Sequence, residues 1–286
     1  MKIGFIADFF AEEVPGGGEL NNDELIRILS ANNHDVLKIK SALCLDGAFD
    51  HFEESGYNHF IVANFAALSE SAKKRLAQKT YIIYEHDHKY LAERNPATFK
   101  DFLAPKGALI NVEFYKKAKA VMCQSTFHQQ IVEKNLETNN IISLGGNLWP
   151  SDILDFLSEQ ATLEKKEKCS VMVSPIPHKN TADAIKFCNI KKMEYELIPA
   201  LPYKDFLARL GKNNTFVFFP KTPETLSRIV VEARMMGMKT ITNNLIGATK
   251  EDWFKLKGEE LIDAMRIKRE DIPATVIELL SDDPQS

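Results

Sequence analysis

Short apolar runs alternate with amphipathic helical patterns along the whole chain, and this alternation predicts a parallel α/β architecture. In the first half, the predicted buried strands are 2–7, 35–39, 59–63, 80–84, 120–124 and 140–144. The helices predicted between them include 19–31, 70–78 and 126–135. The glycines and the proline of 145–150 indicate a linker. The pattern then restarts, with strands predicted at 170–174, 195–198, 215–219 and 239–242.

Size and charge exclude several classes of protein. The chain has 286 residues, of which 44% are hydrophobic and 27% charged, as in globular proteins large enough for two domains. A formal net charge of −4 argues against a broad nucleic-acid-binding surface. No run approaches the roughly 20 apolar residues of a membrane span. The acidic Asp8 comes too early for a signal peptide, so 2–7 is expected to be a first strand.

The cysteines are scattered without paired spacing, at Cys44, Cys123, Cys169 and Cys188. This spacing argues against a zinc site and favours reduced thiols in a cytoplasmic protein. Most of the four fall in apolar runs, so we expect them to be core residues.

The segment 223–233 is the most informative stretch for function, because it follows a predicted strand and opens an amphipathic helix that ends near Gly237. Glu224 is predicted at the strand-to-helix turn, and Glu232 lies eight residues later, on the same helical face. Two carboxylates beside the free N–H groups of a helix start suit a ligand with sugar hydroxyls and phosphates. The alternative is a pair of solvated helix glutamates.

This segment resembles the signature of retaining glycosyltransferases of the GT-B fold, the "group 1" or family 4-like enzymes. The match runs through Phe219-Pro220, Glu224, Glu232-Ala233, Gly237 and Ile246-Gly247. The resemblance implies two Rossmann-like, doubly wound domains that face each other across a cleft. It places the acceptor-side domain at 1–147 and the nucleotide-sugar-binding domain at 148–270. The remaining residues, 271–286, would carry a helix that packs back on the first domain.

The resemblance also implies roles for single residues of the second domain. Glu232 would accept hydrogen bonds from the ribose hydroxyls, and Glu224 from hydroxyls of the donor sugar. The departing diphosphate would be stabilised by Lys179, by Arg228 and by the backbone of Thr225, Leu226 and Ser227. The chain departs from the family at 174–175, where Ser-Pro replaces the usual Gly-Arg. Lys179 would therefore act alone or with Arg228.

Three glycines, Gly16, Gly17 and Gly18, lie between the first strand and the first helix. They match neither a dinucleotide fingerprint nor a Walker loop, but they let a ligand approach the backbone and a helix start. They resemble the Gly-rich loop that, in this family, approaches the donor diphosphate and the acceptor. The alternative is a flexible surface loop.

The fourth predicted strand ends in Tyr84-Glu85-His86-Asp87-His88. A metal site and a simple capping role are both compatible with this run. The resemblance favours a third interpretation, in which His86 touches the donor sugar as a catalytic residue and His88 is the alternate.

The resemblance thus implies metal-independent, retaining transfer of a sugar from a nucleotide-diphosphate-sugar, with no cofactor beyond that donor. The acceptor would be a glycan, a lipid-linked glycan or a modified DNA base. No Asp-x-Asp motif of the metal-dependent transferases occurs in the chain. The alternative is a non-catalytic GT-B subunit that binds nucleotide sugar or supports a partner enzyme.

Overall fold

The computed structural model describes residues 1–281, apart from the side chain of Asp46. The chain divides into two compact units. Among the described residues, unit 1 comprises 1–148 and 269–281, and unit 2 comprises 149–268. The boundaries expected from the sequence fall after residues 147 and 270.

Unit 1 is built, in its described part, on a parallel sheet with strand order β2-β1-β3-β4-β5-β6. Its strands are β1 (Lys2–Ala7), β2 (Asp35–Lys40), β3 (His59–Val62), β4 (Thr80–Tyr84), β5 (Val121–Cys123) and β6 (Ile141–Ser143). The helices are α1 (Gly17–Ala31), α2 (Asp46–Glu54), α3 (Glu70–Leu76), α4 (Val112–Lys117) and α5 (Thr126–Asn135). Apolar cores lie on both faces of the sheet, which is why its inner strands β1, β3, β4 and β5 are short and mostly apolar.

Unit 2 repeats the architecture with strand order β10-β9-β7-β8, also parallel. Its strands are β7 (Lys166–Met172), β8 (Tyr195–Ile198), β9 (Asn213–Phe218) and β10 (Lys239–Thr242). The helices are α6 (Ser151–Thr162), α7 (Thr181–Ile190), α8 (Tyr203–Leu210) and α9 (Arg228–Met235). Helix α7 packs on one face of this sheet, and α6, α8 and α9 contribute to the core on the other.

The last helix, α10 (Glu259–Ser281), begins twelve residues before the segment 271–286 in which a helix was expected. Pro273 lies inside it, whereas the sequence pattern suggested a helix that starts just before this proline. The first part of α10 packs into the core of unit 2 through Leu261 and Met265. The second part packs into the core of unit 1 through Ile272 and Val276. Two amphipathic segments in different cores therefore form one continuous helix.

Two further properties concern the whole described chain. The four cysteines are buried and carry free thiols, as expected of core residues. Within residues 1–281, no helix has the length and the apolar character needed to span a membrane.

Candidate functional site

The predicted site residues of unit 2 lie beyond the carboxyl ends of β7 and β9, the edge at which parallel α/β sheets bind ligands. Lys179 lies in the loop after β7, and its Nζ lies 2.8 and 3.0 Å from the two carboxylate oxygens of Glu224. The two side chains are 26% and 13% exposed. The sequence did not predict this ion pair, which neutralises the lysine that was expected to meet a diphosphate alone or with Arg228.

Glu224 does not open a helix, so the prediction that it shares a helical face with Glu232 is wrong. Its N–H donates to Leu245 O, and its carbonyl accepts from the N–H of Gly247, which holds it in an extended bridge. Helix α9 begins only at Arg228. The two glutamates are nevertheless not solvated helix residues, because their side chains are 13% and 4% exposed.

The residues between Glu224 and α9 form a turn in which some backbone donors make no hydrogen bond within residues 1–281. Ser227 precedes the helix with a left-handed backbone (φ 75°). Within residues 1–281, no hydrogen bond is made by the N–H groups of Leu226 and Ser227, or by the buried Oγ of Ser227. The side chain of Leu226 is in the core, and Thr225 is half-buried. Such donors at a helix start attract an anion.

Glu232 lies in a buried cluster that the sequence did not reveal. Its Oε1 accepts hydrogen bonds from Trp149 Nε1 at 2.9 Å and from the Tyr203 hydroxyl at 2.6 Å. Arg228 Nε lies 3.7 Å from the same oxygen, and the guanidinium stacks on the Trp149 ring at 4.4 Å. Burial and the negative charge of Glu232 raise the pKa of Tyr203 far above its ordinary value, so its hydroxyl stays a donor.

Only general signals in the sequence could have pointed to this cluster. Trp149 lies in a segment that indicated a linker, and Tyr203 is the first residue of α8. A buried indole N–H needs an acceptor, and Glu232 is a carboxylate on a mostly apolar helix.

In unit 1, the structure brings the three glycines and His86 to the carboxyl edge of the sheet. Gly16 caps α1, and Gly17 and Gly18 form its first turn, so the flexible-loop alternative is wrong. A Cβ at Gly18 would lie 3.3 Å from His86 Cγ, and the absence of a side chain there lets the histidine pack closely. His86 Nε2 lies 2.6 Å from Asn22 Oδ1.

The two candidate histidines have different surroundings. His86 is half-buried, whereas His88 is 2% exposed, with Nδ1 3.2 Å from the Tyr90 hydroxyl. Burial lowers the pKa of His88 to about 4, although the Asp87 carboxylate opposes this shift. His86 is therefore the better placed of the two for a ligand. Within the described residues, no group of three or more His, Cys, Asp and Glu side chains is arranged to hold a metal ion.

A charge network, buried at Glu85 and Lys89 and half-buried at Asp87, lies beside His86 and was not predicted from the sequence. Lys89 Nζ lies 2.6 Å from Glu85 Oε1 and 2.8 Å from Asp87 Oδ1, and the Tyr115 hydroxyl also contacts Glu85. Burial alone would lower the pKa of Lys89, but the two carboxylates raise it, so the lysine stays charged. Because Glu85 and Asp87 are the neighbours of His86 in the chain, their contacts with Lys89 fix the backbone on both sides of His86.

Comparison with known proteins gives a likeness at the level of structure. No protein-family model and no curated protein matches the chain. Similar solved structures include Anabaena HepE in complex with UDP and glucose (15% identity, TM-score 0.55, 98% of this chain and 92% of that chain). Another is an alpha-glucosyltransferase in complex with UDP and a 13-mer DNA containing a HMU base (13%, 0.51, 98% and 92%). A third is the catalytic domain of Starch Synthase IV from Arabidopsis thaliana bound to ADP and acarbose (11%, 0.53, 99% and 95%). These neighbours are GT-B glycosyltransferases, and the chain, with its two parallel α/β sheets, has the GT-B fold.

Proposed function

We propose that the protein is a retaining glycosyltransferase that moves a sugar from a nucleotide-diphosphate-sugar to an acceptor. One observation carries this proposal: the free N–H groups of Leu226 and Ser227 stand at the same sheet edge as Lys179 and Glu224. Donors at a helix start suit a diphosphate, and a carboxylate beside them suits sugar hydroxyls. The complexes of the structural neighbours with UDP or ADP support the same ligand class.

In the reaction, the bond between the anomeric carbon and the diphosphate oxygen breaks, and a bond to the acceptor oxygen forms on the same face. The acceptor proton passes to the departing diphosphate. Negative charge builds on the leaving oxygen, and the start of α9 with Lys179 would stabilise it. Glu224 would accept hydrogen bonds from the sugar, and Glu232 from the ribose. Arg228, which contacts Glu232, would add positive charge near the nucleotide.

The proposed roles in unit 1 concern the sugar and the acceptor. His86 would contact the donor sugar, and Gly16, Gly17 and Gly18 would line the approach of the diphosphate and the acceptor. A glycan or a lipid-linked glycan fits the net charge of −4 better than DNA does, and a modified DNA base is the remaining acceptor class. We also propose that the reaction needs no divalent metal, because the chain has no Asp-x-Asp motif, and that the buried free thiols belong to a cytoplasmic protein.

The proposal is tested by thermal unfolding of the full chain with UDP-, ADP-, GDP- and CMP-sugars. At 100 times Kd, a bound donor adds about 2.7 kcal/mol to the free energy of unfolding, which shifts Tm measurably. The donor that binds should then be hydrolysed slowly, and Lys179→Ala should abolish this hydrolysis. Lys186→Ala, a change of an exposed lysine on α7, is the matched control. The anomeric configuration of the product tests retention, and a chain whose Tm no nucleotide sugar changes would contradict the proposal.

A non-catalytic nucleotide-sugar-binding or accessory subunit is the second candidate function. Two observations favour it: Ser174-Pro175 replaces the family's Gly-Arg, and Lys179 is already paired with Glu224. This candidate predicts a donor-specific Tm shift with no hydrolysis and no transfer to any acceptor. Slow hydrolysis that depends on Lys179 would exclude it.

A further inference from the structure

We infer that Trp149 and Tyr203 are positioning residues for the nucleotide site, because they hold one oxygen of Glu232 and leave the other for the ligand. This inference rests on the proposed function. It adds two residues to the site and assigns them a measurable task, which is to make the site recognise a ribose with both hydroxyls.

The contacts of Glu232 are divided unequally between its two oxygens. Trp149 Nε1 at 2.9 Å, the Tyr203 hydroxyl at 2.6 Å and Arg228 Nε at 3.7 Å are all on Oε1. Within the described residues, no hydrogen bond to Oε2 occurs. A carboxylate oxygen with two short hydrogen bonds and a nearby guanidinium has little capacity left, so a ligand hydroxyl would bind Oε2.

The donors on Oε1 also fix the direction in which Oε2 points. The terminal torsion of a glutamate is broad, so without partners the plane of the carboxylate, and with it the direction of its second oxygen, would vary. Burial makes the arrangement costly to lose, since Glu232 is 3% exposed and a buried carboxylate needs hydrogen bonds. Trp149 is fully buried and also stacks on Arg228, so one indole orients both charged groups.

A single fixed oxygen sets a specific requirement on the ligand. Oε2 can accept from two neighbouring cis hydroxyls, as the 2′- and 3′-hydroxyls of ribose offer. A 2′-deoxyribose supplies only one of them and leaves part of a buried acceptor unsatisfied. Discrimination between a ribonucleotide and its 2′-deoxy form should therefore depend on Trp149 and Tyr203.

The test measures the Kd of the nucleoside diphosphate that gives the largest Tm shift, and of its 2′-deoxy form, for the parent, Trp149→Phe and Tyr203→Phe. Both substitutions keep a ring and remove one donor. We expect each to weaken ribonucleotide binding by about 3- to 10-fold, the effect of one hydrogen bond, and to change 2′-deoxynucleotide binding much less. Trp253→Phe, at the second of the two tryptophans of unit 2, is the matched control and should change neither Kd.

A double-mutant cycle separates a positioning role from a packing role. In a Glu232→Ala background, Trp149→Phe should weaken ribonucleotide binding no further. A variant that lowers Tm yet keeps the parent's ratio between the two Kd values would show that Trp149 serves packing alone, and the inference would be wrong. Equal parental affinity for the ribo and deoxy forms would overturn it too. If the parent binds no nucleotide at all, both the proposed function and this inference are wrong. If the parent binds a nucleotide tightly and neither variant changes its Kd, only this inference is wrong.

Discussion

Replacing Glu224 with glutamine is expected to have opposite effects on two related ligands. Lys179 Nζ lies 2.8 and 3.0 Å from the Glu224 oxygens, so the carboxylate repels any diphosphate that shares this lysine. Removing its charge should strengthen the binding of a free nucleoside diphosphate. The same change removes the proposed acceptor for the sugar hydroxyls. The nucleoside diphosphate sugar should therefore gain less affinity over the free nucleoside diphosphate than it does in the parent.

The size of each effect follows from the geometry. A phosphate oxygen in hydrogen-bond contact with Lys179 would lie about 6 Å from the Glu224 carboxylate, where two charges interact by about 3 kcal/mol at an effective dielectric of about 20. Because the pair is partly exposed, solvent screening reduces this to about 1 kcal/mol, or about fivefold tighter binding of the diphosphate. Loss of a hydrogen bond between a sugar hydroxyl and a carboxylate should cost about 1.5 to 3 kcal/mol, which is more than tenfold in the sugar-dependent affinity.

Isothermal titration calorimetry with the free nucleoside diphosphate and with its sugar conjugate gives both Kd values for each variant. Lys179→Ala should weaken both ligands, because it removes a charge from the phosphate contact. Glu194→Gln is the matched control for the glutamate, because Glu194 is an exposed residue paired with Lys168. It should leave both Kd values unchanged.

The reasoning is refuted if Glu224→Gln weakens the free diphosphate and its sugar conjugate by the same factor. That result would mean that Glu224 supports the structure of the loop and not the sugar. Equal diphosphate binding by the parent and a folded Lys179→Ala variant would also contradict it, since the lysine could then not contact the phosphates.

Three further expectations concern unit 1. His86→Ala should lower kcat by about 10- to 100-fold in steady-state assays and leave the Kd of the nucleoside diphosphate unchanged. A rise of that Kd alongside the loss of kcat would contradict a contact between His86 and the sugar. The free energy of unfolding, measured by urea denaturation, should fall by up to about 3 kcal/mol as the pH drops from 6.5 towards 4. In the unfolded chain, His88 takes up a proton near its ordinary pKa of 6.5, whereas in the folded chain its pKa is about 4, so acid favours the unfolded chain between these values. The variant His88→Asn should therefore lose less unfolding free energy over the same pH range. Glu24→Ala should lower the free energy of unfolding by about 3 kcal/mol in the same assay, because Glu24 is 2% exposed and contacts Arg269. Arg27→Ala is the comparison variant and should lower it far less, because the side chain of Arg27 is 55% exposed.

The inner strands β1 and β4 could be predicted closely because both of their faces are buried, which makes each a short apolar run that begins and ends at the predicted residues. The edge strands β8 and β10 also have the predicted bounds, although they include polar and partly exposed residues. Helix ends were harder to predict, since they depend on contacts that the local sequence does not contain. The turn before α9 is set by Leu245, Gly247 and Ala248, which hydrogen-bond to residues 224–226 and delay the helix to Arg228.

The residues of the candidate site could be named from the sequence, but their contacts could not be predicted. The family resemblance pointed to Lys179, Glu224 and Glu232, yet the ion pair joins residues 45 positions apart, and the contact between Trp149 and Glu232 joins residues 83 apart. Such pairs depend on how separate βα units come together at one sheet edge. A residue's type and its neighbours in the chain do not contain that information.

The end of β4 shows why local patterns could not separate His86 from His88. On an extended strand, residues two apart point to the same side, so the strand pattern alone could not separate the preferred His86 from its alternate, His88. The chain leaves the strand after Tyr84, and Lys89 joins the buried Glu85 and the half-buried Asp87 in one ion cluster. This turn places His88 beside Tyr90 in the core and leaves His86 against Gly18, half-buried. The contacts of Glu85 and Asp87 with Lys89 therefore determine which histidine is available to a ligand. The sequence shows that these charged residues are present, but it does not show that they contact one another.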